Sequence, residues 1–185
     1  MPAIDRLKQY TRIIELDGGI DYRLRSLVKA ELYHWPLDVA ADVMLKENFR
    51  RLSPDFTEAV EAEVIDILGR SIHSLYSADD VIWFQFDQLC GGLRSAFDYV
   101  EIAKIYHALL VSGIPQMGDS LADQARRFVS LVDELYDRNV KLIISAAVSP
   151  DELYVGTSLR IEFKRTLSRL TEMQPYDYLS RPHRP

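Results

Sequence analysis

Arginine is the residue type here whose placement could do chemistry, because its planar, permanently charged fork matches phosphate and carboxylate oxygens. Arg23 and Arg25 stand two apart in IDYRLRSL, where a strand would project both from one face. Arg94 follows Cys90-Gly91-Gly92-Leu93 and directly precedes Ser95, the expected cap of a helix, a position beside an N-terminus that favours anions. These three are candidates for nucleotide contact. Arg126 and Arg127 share one expected helix, while Arg160, Lys164, Arg165 and Arg169 crowd another, with Arg165 and Arg169 at i, i+4. Arg126, Arg127, Arg165 and Arg169 are candidates for an interface or for reaching phosphate. The plain alternative for each arginine is a solvated face or a salt bridge, which for Arg94 would use Asp98.

Other residue types offer less. Neither GxxxxGK[ST] nor GxGxxG occurs, so no loop supplies the amides that cradle nucleotide phosphates. FVSLVDE, ending in Asp133 and Glu134, superficially matches a magnesium-binding Walker B strand, but its apolar residues fall at helical spacing. His34, His73, His107 and His183 lie far apart, and Cys90 is the single cysteine, so neither a metal-ligand spacing nor an internal disulfide exists. No catalytic residue and no metal ligand is assigned.

The elements that position these residues centre on Ser120 to Met173. Leu121, Ala125, Phe128, Leu131, Val132 and Leu135 predict a helix over 120–138, with Ser120 and Asp123 as a capping box and a left-handed Asn139 at its end. Lys141 to Ala146 reads as a buried strand, Pro150 opens a short helix, and Thr157 or Ser158 caps a longer one to about Met173. Adding a short strand over Gly113 to Met117 makes residues 113–146 a βαβ unit with parallel pairing. Lys141 to Ala146 is expected to lack sheet neighbours and to leave an apolar face exposed.

Upstream, Pro2 to Tyr10 reads as a helix. Thr11 to Leu16 and IDYRLRSL read as two strands of a hairpin about Asp17-Gly18-Gly19, and Leu37 to Leu52 as a helix. VIDIL, SIHSLY and VIWFQF suggest a three-stranded antiparallel meander. Ser95 with Asp98 opens a helix whose stripe runs through Tyr99, Ile102, Ala103, Tyr106, Leu109 and Leu110 to a stop at Gly113. The expected divisions are 1–58, a helix, hairpin and helix; 59–90, a small antiparallel β insertion; 91–179, an α/β unit with C-terminal helices; and 180–185, a disordered tail.

The 185 residues suffice for a substantial core, and 48% hydrophobic with 27% charged residues fits a globular chain. A net charge of −6 gives no general nucleic-acid footprint, no apolar run approaches the roughly 20 residues of a membrane span, and the single cysteine agrees with a reducing compartment. The expected location is the cytoplasm.

CGGLRSAFDYVEIAKIYHALLVSGIPQM, ARRFVSLVDELYDRNVKLIISAAVSPDELY and FKRTLSRLTEMQ, with DGGIDYRLRSL near the start, resemble the ZapE family of AFG-like P-loop ATPases, from Pro2 to about Leu179. The resemblance implies an α/β fold, the C-terminal part of a P-loop NTPase-like (AAA-type) domain. It also implies ATP and magnesium in the intact member, action at the bacterial division septum in connection with the FtsZ ring, and mitochondrial relatives in inner-membrane protein quality control. The family's Walker A, Walker B, sensor and arginine-finger motifs precede the region matched here, so no catalytic residue carries over and no cofactor is expected of this chain alone. YDRNVKLIISAAVSPDELY resembles the family's own sensor segment, with Ala147 in place of the polar sensor residue. The expectation is a C-terminal fragment that partners a missing N-terminal ATPase half, possible as an oligomer, at the division site with FtsZ or another division protein. The alternative is a stand-alone, non-catalytic interaction module for a division or quality-control partner.

Overall fold

The computed structural model describes residues 22–28, 30–53 and 60–185. The helix expected over Pro2 to Tyr10, the strand over Thr11 to Leu16 and the Asp17-Gly18-Gly19 turn lie outside the described residues.

Three short apolar segments form the centre of the sheet: β6 (Val81–Gln85), β7 (Ala108–Ile114) and β8 (Lys141–Ala146). They pair in parallel, and β1 (Tyr33–His34) continues the parallel set beyond β8. On the other side β5 (Tyr76–Ala78) and β2 (Val60–Glu61) pair antiparallel, giving the order β1-β8-β7-β6-β5-β2. The fold is mixed α/β with a mostly parallel sheet, consistent with a P-loop NTPase-like fold. Every residue of β8 is buried, so both faces need cover. Right-handed crossovers put α3 (Ala96–Ile105) and α4 (Ala122–Asp137) on one face, where they pack together; the return from β1 to β6 puts α2 (Val39–Leu52) on the other. Helix α5 (Arg160–Glu172) packs on α4.

The βαβ unit has the expected pairing, although its first strand is Ala108–Ile114 rather than Gly113 to Met117. Helix α3 therefore stops at Ile105, and Tyr106, Leu109 and Leu110 do not extend its stripe. HALLVSGI is apolar without a break, and such a run does not separate helix from buried strand by periodicity. Gly113, at φ +77°, stands at a register shift in β7. Strand β8 lies between β1 and β7, so it is not the bare edge that the sequence suggested.

The meander needs the same kind of correction. β3 (Val64–Ile67) and β4 (Arg70–His73) form a separate hairpin, with Leu68 and Gly69 both at positive φ as a tight turn requires. VIWFQF instead enters the main sheet as β6, because Val81 to Phe84 are buried on both faces. The 59–90 stretch is thus not one antiparallel insertion. Tyr22–Val28 is a helix, α1, rather than a hairpin arm, since Leu24 and Leu27 meet the core at helical spacing. Positions two apart on a helix do not share a face, so Arg23 and Arg25 are not paired as strand neighbours would be.

Two termini of helices also differ from expectation. Helix α4 follows a 3₁₀ turn, Asp119–Leu121, without the Ser120 capping box, and neither Thr157 nor Ser158 is the cap of α5. The tail is docked rather than loose, beyond a last short helix, α6 (Tyr176–Leu179). Arg184 N–H donates to Arg138 O at 2.9 Å, Asn139 Nδ2 to Pro182 O at 2.9 Å and Lys141 Nζ to Arg181 O at 2.7 Å.

The capping box of α3 is present as the sequence predicts: Ser95 N–H donates to Asp98 Oδ2 at 2.7 Å, and Ser95 Oγ lies 3.2 Å from the same oxygen. Asp98 is fully buried, and Arg70 Nη2 lies 2.8 Å from its Oδ1, as an ion pair outside hydrogen-bond alignment. That contact ties the β3–β4 hairpin to α3. Asp98→Ala is expected to destabilise the fold by about 2 kcal/mol and Ser95→Ala by about 1 kcal/mol, read as lower urea midpoints at unchanged slope.

Candidate functional site

Open α/β sheets bind ligands outside the carboxyl ends of their parallel strands, so those ends come first. Beyond β6 the chain makes a π-helical turn, Asp87–Gly91. A Cβ on Gly91 would lie 1.8 Å from Asp87 Oδ1, so a carboxylate fills the space over that glycine. A phosphate cradle needs that space empty and lined by N–H groups. The turn does not fit the phosphates of a nucleotide.

Three side chains bind the carbonyls of this turn instead. Tyr99 Oη donates to Leu89 O at 2.8 Å, Arg127 Nη1 to Cys90 O at 2.9 Å and Arg94 Nε to Gln88 O at 3.2 Å. Cys90 is fully buried, and burial pushes its thiol up to about 12, which leaves no thiolate near neutrality.

The ends of β7 and β8 are closed on each other. Ser145 Oγ accepts from Gly113 N–H at 3.3 Å, and Trp83 Nε1 donates to Ser112 Oγ at 3.0 Å. Met117 and Tyr154 form a parallel bridge. Asp119 then takes the N–H groups of Thr157 and Ser158, at 3.0 and 3.1 Å, and both hydroxyls at 2.9 Å. Those four donors hold its carboxyl far below the ordinary carboxylate range, the N–H and hydroxyl of Ser158 contributing most. Asp119 serves the start of α5 from a distant loop.

The remaining arginines are dispersed. Arg94 Nη2 also donates to Ser71 O at 3.0 Å, so its fork bridges β4 and the π turn, and Arg70 rather than Arg94 pairs with Asp98. Arg165 and Arg169 both reach Asp133 on α4, each at 2.5 Å, and Arg169 also lies over the Tyr136 ring. Arg126 is exposed and makes no ion pair among the described residues. Arg25 is exposed on α1, and the side chain of Arg23 lies outside the described ones. Arg25 and Arg94 belong to different parts of the fold, because α1 packs on α2 and α6 while Arg94 sits between β4 and α3. Among the described residues no group of three His, Cys, Asp or Glu is placed to hold a metal ion, and no helix is long and apolar enough to cross a membrane.

The family profile described as AFG1-like ATPase matches residues 1–182. The chain belongs to the AFG1-like ATPase family. It is 36% identical over 183 residues to the cell division protein ZapE of Escherichia coli K12, a match that covers 99% of this chain and 48% of that protein. It is 29% identical over 210 residues to the uncharacterized protein C115.02c of Schizosaccharomyces pombe, with 98% and 46% covered, and 28% identical over 211 residues to the lactation elevated protein 1 homolog B of Danio rerio, with 96% and 42% covered. The chain spans about half the length of these relatives. No solved structure matches it.

In this AFG1-like ATPase chain, sequence reasoning missed Asp119, Asp87 and Lys141 as positioning groups. The signal for Asp119 was thin: a lone acid between Gly118 and Ser120, with its partners 38 and 39 residues away. Asp119→Ala is expected to lower Tm at neutral pH. Because the folded carboxyl is depressed, that stabilisation is full above the unfolded value of about 4 and fades as pH falls below it, so the wild-type and variant Tm curves should converge in acid. Arg94→Ala is expected to lower Tm by several degrees, roughly 1 to 2 kcal/mol for two bonds from a charged donor, with Arg94→Lys recovering only part; an unchanged Tm would show that the bridge is dispensable.

Proposed function

We propose that this chain is the non-catalytic C-terminal half of a ZapE-like, AAA-type ATPase of cell division. It supports a nucleotide-binding half that supplies the phosphate loop and the magnesium carboxylate. The observation that carries the reading is the turn after β6, where Asp87 covers Gly91 and Tyr99, Arg94 and Arg127 bind the carbonyls. Negative charge at that point opposes a polyphosphate, and the sequence offers no other loop for one.

In this reading ATP and magnesium belong to the other half, and FtsZ or another division protein is the partner of the assembled molecule, at the division site. Arg126 is the best placed of the candidate arginines for the seam between halves or subunits, being exposed without an ion pair among the described residues. Arg94, Arg127, Arg165 and Arg169 act within the half that contains them.

The 185-residue chain alone is expected to show no saturable, magnesium-dependent ATP turnover, and joining it to the upstream half of a ZapE-like protein is expected to produce turnover. Activity that stays with the isolated chain through successive purification steps would overturn the proposal. If the joined protein is active, Arg126→Ala is expected to reduce turnover while leaving Tm unchanged.

A further inference from the structure

The outer edge of the sheet, at β1, is both apolar and acidic. Between Glu31 and Leu45 the sequence places three acids, Glu31, Asp38 and Asp42, and neither lysine nor arginine. Four large apolar side chains of the same stretch face solvent: Trp35 is 53% exposed, Leu37 43%, Val39 79% and Val43 58%. Single exposed apolar residues are ordinary, whereas four within nine residues form a patch of the kind that meets another molecule.

Two clefts flank this edge, of about 370 and 420 Å³, large enough for a long side chain. Glu31, Tyr33 and Trp35 line both, and Asp38 and Met44 belong to the first. Tyr33 is fixed, because its Oη donates to Val148 O at 3.0 Å, and its ring meets that of Trp35 edge-on at 5.7 Å. Trp35 is thus braced yet half open to solvent.

The carboxylates are also placed. Asp38 Oδ1 accepts the Ala41 N–H at 2.8 Å, which orients the group at the start of α2, and Asp38 with Asp42 outweighs the roughly half positive charge of that helix end. Glu31 Oε2 lies 3.7 Å from His34 Nδ1, but burial lowers that ring's affinity for a proton, so the contact does not neutralise the carboxylate. Lys46, the first base after the stretch, is engaged elsewhere, donating to Tyr76 Oη at 2.9 Å.

We propose that the first cleft receives an arginine side chain of a partner protein, presented on a segment whose apolar neighbours rest on the Trp35, Val39 and Val43 surface. The stem of an arginine packs on Trp35 and Met44, its guanidinium meets the indole face, and its fork reaches the Glu31 and Asp38 carboxylates. A free amino acid would leave the valines beside the cleft uncovered, which commits the surface to a polypeptide.

The test titrates the 185-residue chain with a capped six-residue peptide carrying one arginine among leucines and serines. Its citrulline twin, which keeps the shape and loses the charge, and N-acetylarginine amide serve as comparisons. The chain has two tryptophans, and Trp83 is 5% exposed against 53% for Trp35, so a fluorescence change reports Trp35; calorimetry gives the affinity independently. The arginine peptide is expected to bind saturably at Kd about 1 mM or tighter, with the twin and the amide at least tenfold weaker. Glu31→Gln is expected to weaken the peptide about tenfold at unchanged Tm, since that side chain is 81% exposed, and Trp35→Ala to weaken it similarly by calorimetry. No saturable signal up to about 10 mM peptide, equal binding of the twin, or full binding by Glu31→Gln would each overturn the proposal. Amide binding as tight as the peptide would overturn it in favour of a small cationic ligand. Loss of peptide binding once the chain is joined to the upstream half of a ZapE-like protein would overturn it in favour of that half, and self-association abolished by Glu31→Gln in favour of a second copy.

Discussion

Strand β8 is buried along its whole length, and that fact governs how the rest of the chain is arranged. A parallel strand with apolar side chains on both faces needs cover on both, and its neighbours must pair along both edges. β7 and β1 supply the edges, α2 one face and, through the right-handed crossover from β7 to β8, α4 the other. Helix α4 is then itself a surface. Phe163 of α5 stacks on Phe128 of α4 at 6.3 Å, and Tyr154 stacks on Phe163 at 4.3 Å. The aromatic run carries burial outward from the sheet to the last long helix, and the Asp133 contacts of Arg165 and Arg169 fix its rotation.

Arginine has five donors, and the number of them engaged by the protein decides what it can offer a ligand. Arg94 and Arg127 donate to main-chain carbonyls of the π turn, and Arg94 also to one of β4. A carbonyl left bare in such a place costs about 1–3 kcal/mol, more than an exposed ion pair returns. The structural use of these arginines therefore outweighs a role that depends on their being free.

How much was legible in the sequence follows from range. Helix α4 and strand β8 were readable because Leu121, Ala125, Phe128, Leu131, Val132 and Leu135 keep one period and Asn139 marks the stop, with φ +56° in the fold. The Ser95 cap was readable because its partner is three residues away. VIWFQF and HALLVSGI were misread because central strands lose the alternation that identifies an exposed sheet, and IDYRLRSL because three apolar residues satisfy either period. Asp119, Lys141 and the docked tail were beyond reach for one reason: each acts on residues 37 to 40 positions away, or farther, and no local pattern encodes that distance.

Asp87 and Asp119 stand at one end of the sheet and Lys141 and Arg181 at the other, and length decides whether the two groups communicate. Asp87 and Asp119 lie beyond the carboxyl ends of the strands; Lys141 and Arg181 lie where β8 begins. Six residues of extended chain separate those ends by about 20 Å, more than twice the screening length of about 8 Å at physiological ionic strength. Field alone is therefore a weak link between them. A mechanical link is present, because β8 is held at its base by Lys141 and the tail, and the segment after it is clamped to Asp119 through Thr157 and Ser158. Any influence of one end on the other has to travel as a shift of β8 between its packed neighbours, and a strand buried on both faces moves only when the helices covering it move as well.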